Sequence, residues 1–134
     1  NDEKQWPADE VAALARECGV PMVFDTLHHQ VCGGAWRGRA MAEILADVFA
    51  TWVPEDGFPK VHFSSQDAHK RAGAHGDDVD PEELDAFLTA ADALGRPFDL
   101  MVEAKAKDLA VIRAAPVLAA HGVLVGPQRL QEAA

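Results

Sequence analysis

The sequence predicts an α/β chain in which parallel strands alternate with helices, and three observations carry that prediction. Helical and strand periodicities take turns along the chain. Each strand-like run is mostly apolar, as parallel strands covered by helices are. Residues suited to chemistry gather at one end of each run. Alternation of this kind implies right-handed crossovers between parallel neighbours. Two architectures satisfy it: the centre of a small doubly wound domain, or consecutive staves of a (β/α)8 barrel.

Residues 8 to 18, "ADEVAALAREC", read as a short amphipathic helix with Val11, Leu14 and Ala15 on one side, ended by Gly19. The apolar run from 21 to 25 is the first strand. In "RAMAEILADVFATWV", from Arg39 on, apolar residues recur at Met41, Ile44, Leu45, Val48, Phe49 and Trp52, the spacing of a helix with one buried face, and Pro54 blocks its continuation. "KVHFS" begins a second strand at Lys60. Asp80, Pro81 and Glu83 supply an N-cap, a first-turn proline and a capping-box glutamate for "EELDAFLTAADAL", which Gly95 stops. "FDLMVEA" at 98 to 104 is the third strand. "KDLAVIRAAPVLAAHG" is helical, with a kink or break expected before Pro116. The count is three strands and four helices, with neither an internal repeat nor a low-complexity linker.

At 134 residues the chain is one domain at most, and 49% apolar with 25% charged residues is ordinary for a soluble globular protein. No apolar run approaches the roughly 18 residues that cross a bilayer, and the polar, acidic start "NDEKQWPADE" is unlike a secretion signal, so a cytoplasmic protein with no membrane partner is expected. Cys18 and Cys32 lack C-x-x-C spacing and read as reduced and structural. The formal charge of -10 argues against general affinity for nucleic acid, which needs Lys and Arg to neutralise phosphates; a local basic groove or bound metal ions would have to do so.

The chemistry falls at strand ends. Asp25 ends the first strand, with His28 and His29 in the loop after it, and Glu103 ends the third. Lys60 and His62 lie two apart and so share a strand face. His75 follows in "GAHGDDVD". Parallel strands would bring Asp25, His28, His62, His75 and Glu103 together at the C-terminal edge of the sheet, where barrel enzymes keep their chemistry. Imidazole mixed with carboxylate suits Mn²⁺, Zn²⁺ or Fe²⁺ better than the all-oxygen shells of Ca²⁺ or Mg²⁺. The other histidines read more plainly: His121 as a cation near a helix C-terminus, His69 as a solvated loop residue, and His29 as support for the site or simple packing. His62 alone would read as a core histidine; five metal-type residues at matching strand ends are harder to explain singly than together.

"FDTLHH", "PKVHFSSQ", "HGDD" and "DLMVEAKAKDLA", in that order, resemble the C-terminal half of UV damage endonucleases, DNA-repair enzymes on a barrel similar to those of endonuclease IV and xylose isomerase. The resemblance covers nearly the whole chain and implies a partial (β/α)8 TIM barrel. It implies a metal-dependent endonuclease that cuts DNA on the 5′ side of UV photolesions with up to three divalent ions, typically Mn²⁺, with Zn²⁺ or Mg²⁺ as alternatives. The implied metal ligands are Asp25, His28, His62, His75 and Glu103. Lys60 matches the family's lysine beside the metals, where carboxylation would make it an anionic ligand, and Lys60 and His62 are the implied catalytic pair. Lys105 and Lys107, with Arg37 and Arg39, are candidates to contact DNA phosphates.

The family's preceding motif reads Glu-Asn-Asp and this sequence begins at Asn1-Asp2, which implies that residues 1 to 134 are the C-terminal part of a barrel whose earlier strands lie outside it. Such a part is expected to be inactive alone and to self-associate through open edges. The rival readings are a sugar isomerase or epimerase on the same barrel type, which would not need "PK-x-H-x-SSQ", and a non-catalytic barrel fragment.

Overall fold

The computed structural model of the protein describes residues 1–123. Helix α1 (Ala8–Cys18) follows the extended Pro7, carries Asp9 and Glu10 in its first turn where the helix dipole favours them, and ends at Gly19 in the left-handed region (φ 66°). Its bounds are those expected, but its buried stripe is Ala8, Ala12 and Ala15, while Leu14 is 56% exposed. The small side chains let α1 approach a one-turn 3-10 helix at Gly34–Trp36. The contact is tight: a Cβ on Gly34 would stand 2.5 Å from Pro7 Cβ, and φ there is +55°.

Strand β1 (Phe24–Asp25) is shorter than the expected 21 to 25. Met22 is drawn out of the ladder because Thr51 Oγ1 accepts its N–H at 2.9 Å and Trp52 Nε1 donates to its carbonyl at 2.7 Å. The next residues form a fifth helix, α2 (Thr26–Val31), so His28 and His29 stand on a helix and not in a loop. Asp25 is its N-cap, and one short polar side chain both ends the strand and starts the helix. Helix α3 (Met41–Phe49) stops earlier than Pro54 alone requires. Thr51 Oγ1 donates back to Val48 O at 2.7 Å, an alternative bond that competes with the helix. Pro54–Asp56 then forms a second 3-10 turn.

Strand β2 (Lys60–Phe63) leads through a long polar loop to helix α4 (Pro81–Asp92), whose N-cap Asp80 accepts from both Glu82 N and Glu83 N. The expected return bond from Glu83 is replaced, since the Asp80 N–H donates to Ser65 Oγ at 2.8 Å and so ties the helix start to the end of β2. Strand β3 (Asp99–Val102) and helix α5 (Asp108–Ala120) complete the described residues. The kink or break expected before Pro116 does not occur: α5 runs through it. Pro116 lies on the exposed face and Ile112, whose carbonyl loses its partner, is 65% exposed, so water can take the place of the missing N–H.

The strands are parallel and lie in chain order β1-β2-β3. A doubly wound sheet would reverse direction at its switch point; this order, with helices α3, α4 and α5 packed side by side, is an arc of a (β/α)8 barrel. The pleat sorts the side chains. Phe24 pairs with Val61, and Val61 with Leu100, toward the helices, where Ile44, Leu45, Val48, Leu84, Phe87 and Leu88 close the core. Asp25 pairs with His62 and His62 with Met101, on the opposite face.

Candidate metal centre

Glu103 lies two residues beyond Met101 and its N–H bonds Phe63 O at 2.8 Å, so it continues β3 on the face that carries Asp25 and His62. These three side chains each offer a ligand atom, and the atoms lie within 4.8 Å of one another. Two ligands on opposite sides of one ion at ordinary metal–ligand distances of about 2.0–2.3 Å stand about 4–4.5 Å apart, so a small inward movement suffices to close the set on an ion. The donors are two carboxylates and an imidazole. That set fits a divalent metal ion and includes neither thiol.

Each donor is held from behind. Asp25 is 5% exposed. Its Oδ1 accepts the His28 N–H at 2.8 Å, and its backbone is clasped by the Asn1 side chain, which accepts from Asp25 N at 3.0 Å and donates to Asp25 O at 3.1 Å. His62 Nδ1 lies 2.9 Å from Glu103 Oε1. The second oxygen, Oε2, is 3.8 Å from His75 Nε2. His75 is placed by the loop after β2, through its bridge to Gln66 and a bond from Gly76 N to Ser65 O at 2.8 Å. His28 Nδ1 is 3.4 Å from Asp25 Oδ2, and the rings of His28 and His75 face each other at 6.2 Å. Of the five expected ligands, His62 and His75 therefore stand against Glu103 and His28 against Asp25, and Asp25, His62 and Glu103 form the one group close enough to share an ion among the described residues.

Lys60 shares the His62 face but stands one row lower. Its Nζ contacts Asp99 Oδ2 at 3.4 Å and lies 5.3 Å over the Trp52 ring, away from Glu103. His29 belongs to the packing: it is 8% exposed, its ring is 5.5 Å from that of Phe24, and burial, reinforced by Arg37, lowers its pKa so that it stays neutral. Arg39 pairs with Asp47 at 2.8 Å and lies over Trp36, whereas Arg37 donates to Val31 O and is otherwise exposed. Lys105 reaches Asp67 at 3.4 Å. Lys107 has φ 54°, the one positive value among the described non-glycine residues.

Sequence reasoning missed Glu3. Its Oε2 lies 3.7 Å from His28 Nε2 and its Oε1 lies 3.6 Å from Arg71 Nη1. Its own backbone N–H, then His28, Lys4 and Arg71, hold its carboxyl below the usual range. Glu3 is aimed there because Asp2 Oδ1 accepts from the N–H groups of Lys4, Gln5 and Trp6 and folds the segment into a tight turn. Gly73 leaves room, since a Cβ there would meet Glu3 Cγ at 2.9 Å. The only signal in the sequence is the polar run before the first helix, which has no period to place it.

The family described as UV-endonuclease UvdE matches residues 1–125. The UV DNA damage endonuclease of Bacillus mycoides (strain KBAB4) is 35% identical over 115 residues, an alignment covering 84% of this chain and 35% of that protein. That of Bacillus cereus (strain ATCC 10987 / NRS 248) is 34% identical over 115 residues, with the same coverage. The crystal structure of SacUVDE superposes with a TM-score of 0.72 and 24% identity over 92% of this chain and 39% of that one, a likeness of fold. The chain thus spans about a third, 35%, of the length of the curated relatives it matches. By the family match over residues 1–125 and the identity to these relatives, the chain belongs to the UV-endonuclease UvdE family.

Proposed function

We propose that this chain contributes the C-terminal strands of a barrel whose complete centre is a metal-dependent DNA endonuclease, cutting the backbone 5′ to UV photolesions in the cytoplasm. One observation carries the reading: Asp25, His62 and Glu103, far apart in sequence, bring ligand atoms within 4.8 Å of one another on one sheet face. The family relationship supports assigning phosphodiester chemistry to such a site, since the relatives are named as UV DNA damage endonucleases.

Asp25, His62 and Glu103 would hold one divalent ion, with His28 and His75 completing that site or beginning a second. Mn²⁺ is the preferred ion, with up to three in the complete centre and Zn²⁺ or Mg²⁺ as alternatives. Bound ions of this type stabilise charge on a phosphodiester and lower the pKa of water at neutral pH. The chain's own residues fix the geometry. The N-cap bond and the Asn1 clasp keep Asp25 from turning, and Glu103 orients the His62 ring through Nδ1. Lys60 offers a cation one row below, or an anionic ligand if its amine is carboxylated. Arg37, Arg39, Lys105 and Lys107 are the candidates to meet phosphates beside the scissile one.

Metal analysis and Mn²⁺ titration test the reading. The chain is expected to bind Mn²⁺ with an affinity that falls on the order of 100-fold in Glu103→Gln and in His62→Ala, because removing a ligand costs at least as much as removing the groups behind it. Equal affinity in all three proteins places the ion elsewhere and overturns the assignment. The activity is read on the longer protein by nicking of UV-irradiated duplex. A cut on the 5′ side that requires metal is expected, and sugar isomerisation without nicking would sink the proposal.

A further inference from the structure

The loop between β2 and α4 carries two cations that the sequence pattern did not single out, Lys70 and Arg71. The fold brings them beside Lys105, which comes from the far side of β3. Lys70 Nζ lies 2.9 Å from Asp67 Oδ2 and Lys105 Nζ lies 3.4 Å from the same oxygen, so two ammonium groups from distant segments converge on one carboxylate. The two lysines and the His69 N–H hold that carboxyl far below its usual range. Arg71 stands next to them, against Glu3, which touches His28 of the metal centre.

The arrangement is built. Asp67 N donates to Ala74 O at 2.8 Å, and Lys70 N to Asp67 O at 3.2 Å, closing the loop. Lys105 N and Ala106 N donate to Gly76 O and Asp77 O at 3.0 and 2.9 Å, fastening the turn after Glu103 to the same loop. All three cationic side chains remain open to solvent, at 54% for Lys70, 69% for Arg71 and 43% for Lys105. In a chain of formal charge -10, this part of the rim gathers three exposed cations, two on Asp67 and Arg71 on Glu3, and so offsets locally the negative charge that dominates the chain. The facing acids are Asp67, Glu3 and Asp77; Asp78 is engaged by Arg113 at 2.8 Å.

We propose that Lys70, Arg71 and Lys105 form a phosphate-gripping patch for nucleic-acid backbone beside the metal centre, with Asp67 occupying in the free protein the position a phosphate takes in the complex. The proposal rests on the endonuclease reading for the nature of its partner. Each lysine keeps donors beyond the one it gives Asp67, and Arg71 can present its fork to a phosphate oxygen pair. Contacts of this kind carry no base specificity and set the position of the strand over the site.

The test is binding of a fluorescently labelled undamaged duplex to the chain, without added metal, over a range of salt concentrations. Lys70→Ala with Arg71→Ala, and separately Lys105→Ala, are expected to weaken binding and to flatten the slope of log K against log salt by about 2 and about 1, respectively. Asp67→Asn keeps an oxygen for the His69 N–H but frees both lysines, and it is expected to tighten binding and steepen the slope. Arg113→Ala removes a charge away from the patch and is the control, expected to leave the slope within error. Absence of any binding, an unchanged slope in the patch variants, or an equal effect of Arg113→Ala overturns the proposal. The two readings fail separately. Patch-dependent binding without lesion nicking by the longer protein leaves the patch standing and removes the endonuclease reading; nicking that ignores these residues does the reverse.

Discussion

Asp25 carries two duties that its chemistry makes compatible. One carboxylate oxygen caps α2, and the other points toward the His28 ring among the metal-type donors. His121 shows a different use of the same pairing. It caps the end of α5, as expected of a cation near a helix C-terminus, and reaches across to α4, where Asp92 and Asp85 bind Nδ1 and Nε2, with Asp85 at 3.0 Å. The bond to Asp92, then that to Asp85, raises its pKa above the ordinary 6.5. A raised folded pKa means that the clamp contributes fully below about pH 6.5 and is lost as pH rises through the raised value. Thermal melts of the wild type and His121→Gln should therefore differ most near about pH 6 and converge as pH rises through the raised value. Both aspartates are largely exposed, so the difference should be small. A gap that stays constant with pH would show that His121 acts by packing alone. His121 and Asp25 could be assigned from sequence because each sits at an element end, where spacing is informative. Glu3 could not, since its placement depends on a non-periodic turn and on the space above Gly73.

Among the elements, helices with strong punctuation are the ones that sequence places well. Asp80 and Pro81 fix the start of α4, and Asp80→Ala should lower stability by about 1 kcal/mol, the usual worth of an N-cap, in urea denaturation. Because the Asp80 N–H also bonds Ser65, the capping loss should stand apart from a Ser65→Ala change, which removes only the second tie. A capping loss near zero would mean that Ser65 alone holds the junction. Pattern misled where side chains compete with the backbone. Thr51 and Trp52 take the polar groups of Met22 and shorten β1, and Pro116 is tolerated because its missing bond faces water. Helix α2 escaped because six residues, Thr26–Val31, are too few to show a period.

At the scale of the molecule, the three strands form an arc whose outer members among the described residues are β1 and β3. Met101 on β3 is 51% exposed, and a groove of about 600 Å³ lined by Leu88, Phe98, Leu100 and Met101 runs beside it. Edges with this much apolar surface invite pairing with another chain. Sedimentation of the isolated chain should show association that grows with concentration, and a monomer at all concentrations would mean that the groove and edge are covered within the chain. No helix among the described residues is long and apolar enough to cross a membrane.

The sequence by itself determined the alternation of elements, the parallel sheet, the strand-end position of Asp25, His62 and Glu103, and the family, because periodicity and ordered motifs are local properties that survive without coordinates. Periodicity alone left a barrel arc and a doubly wound sheet open, and the strand order in the tertiary structure bears out the barrel that the family resemblance implied. Only the tertiary structure seated Lys60 beside Asp99, brought Glu3 to His28, and joined Lys70 to Lys105 across Asp67. The physical reason is common to all three. Each depends on segments distant in sequence meeting through packing and loop closure, and neither spacing nor composition encodes where such a meeting occurs.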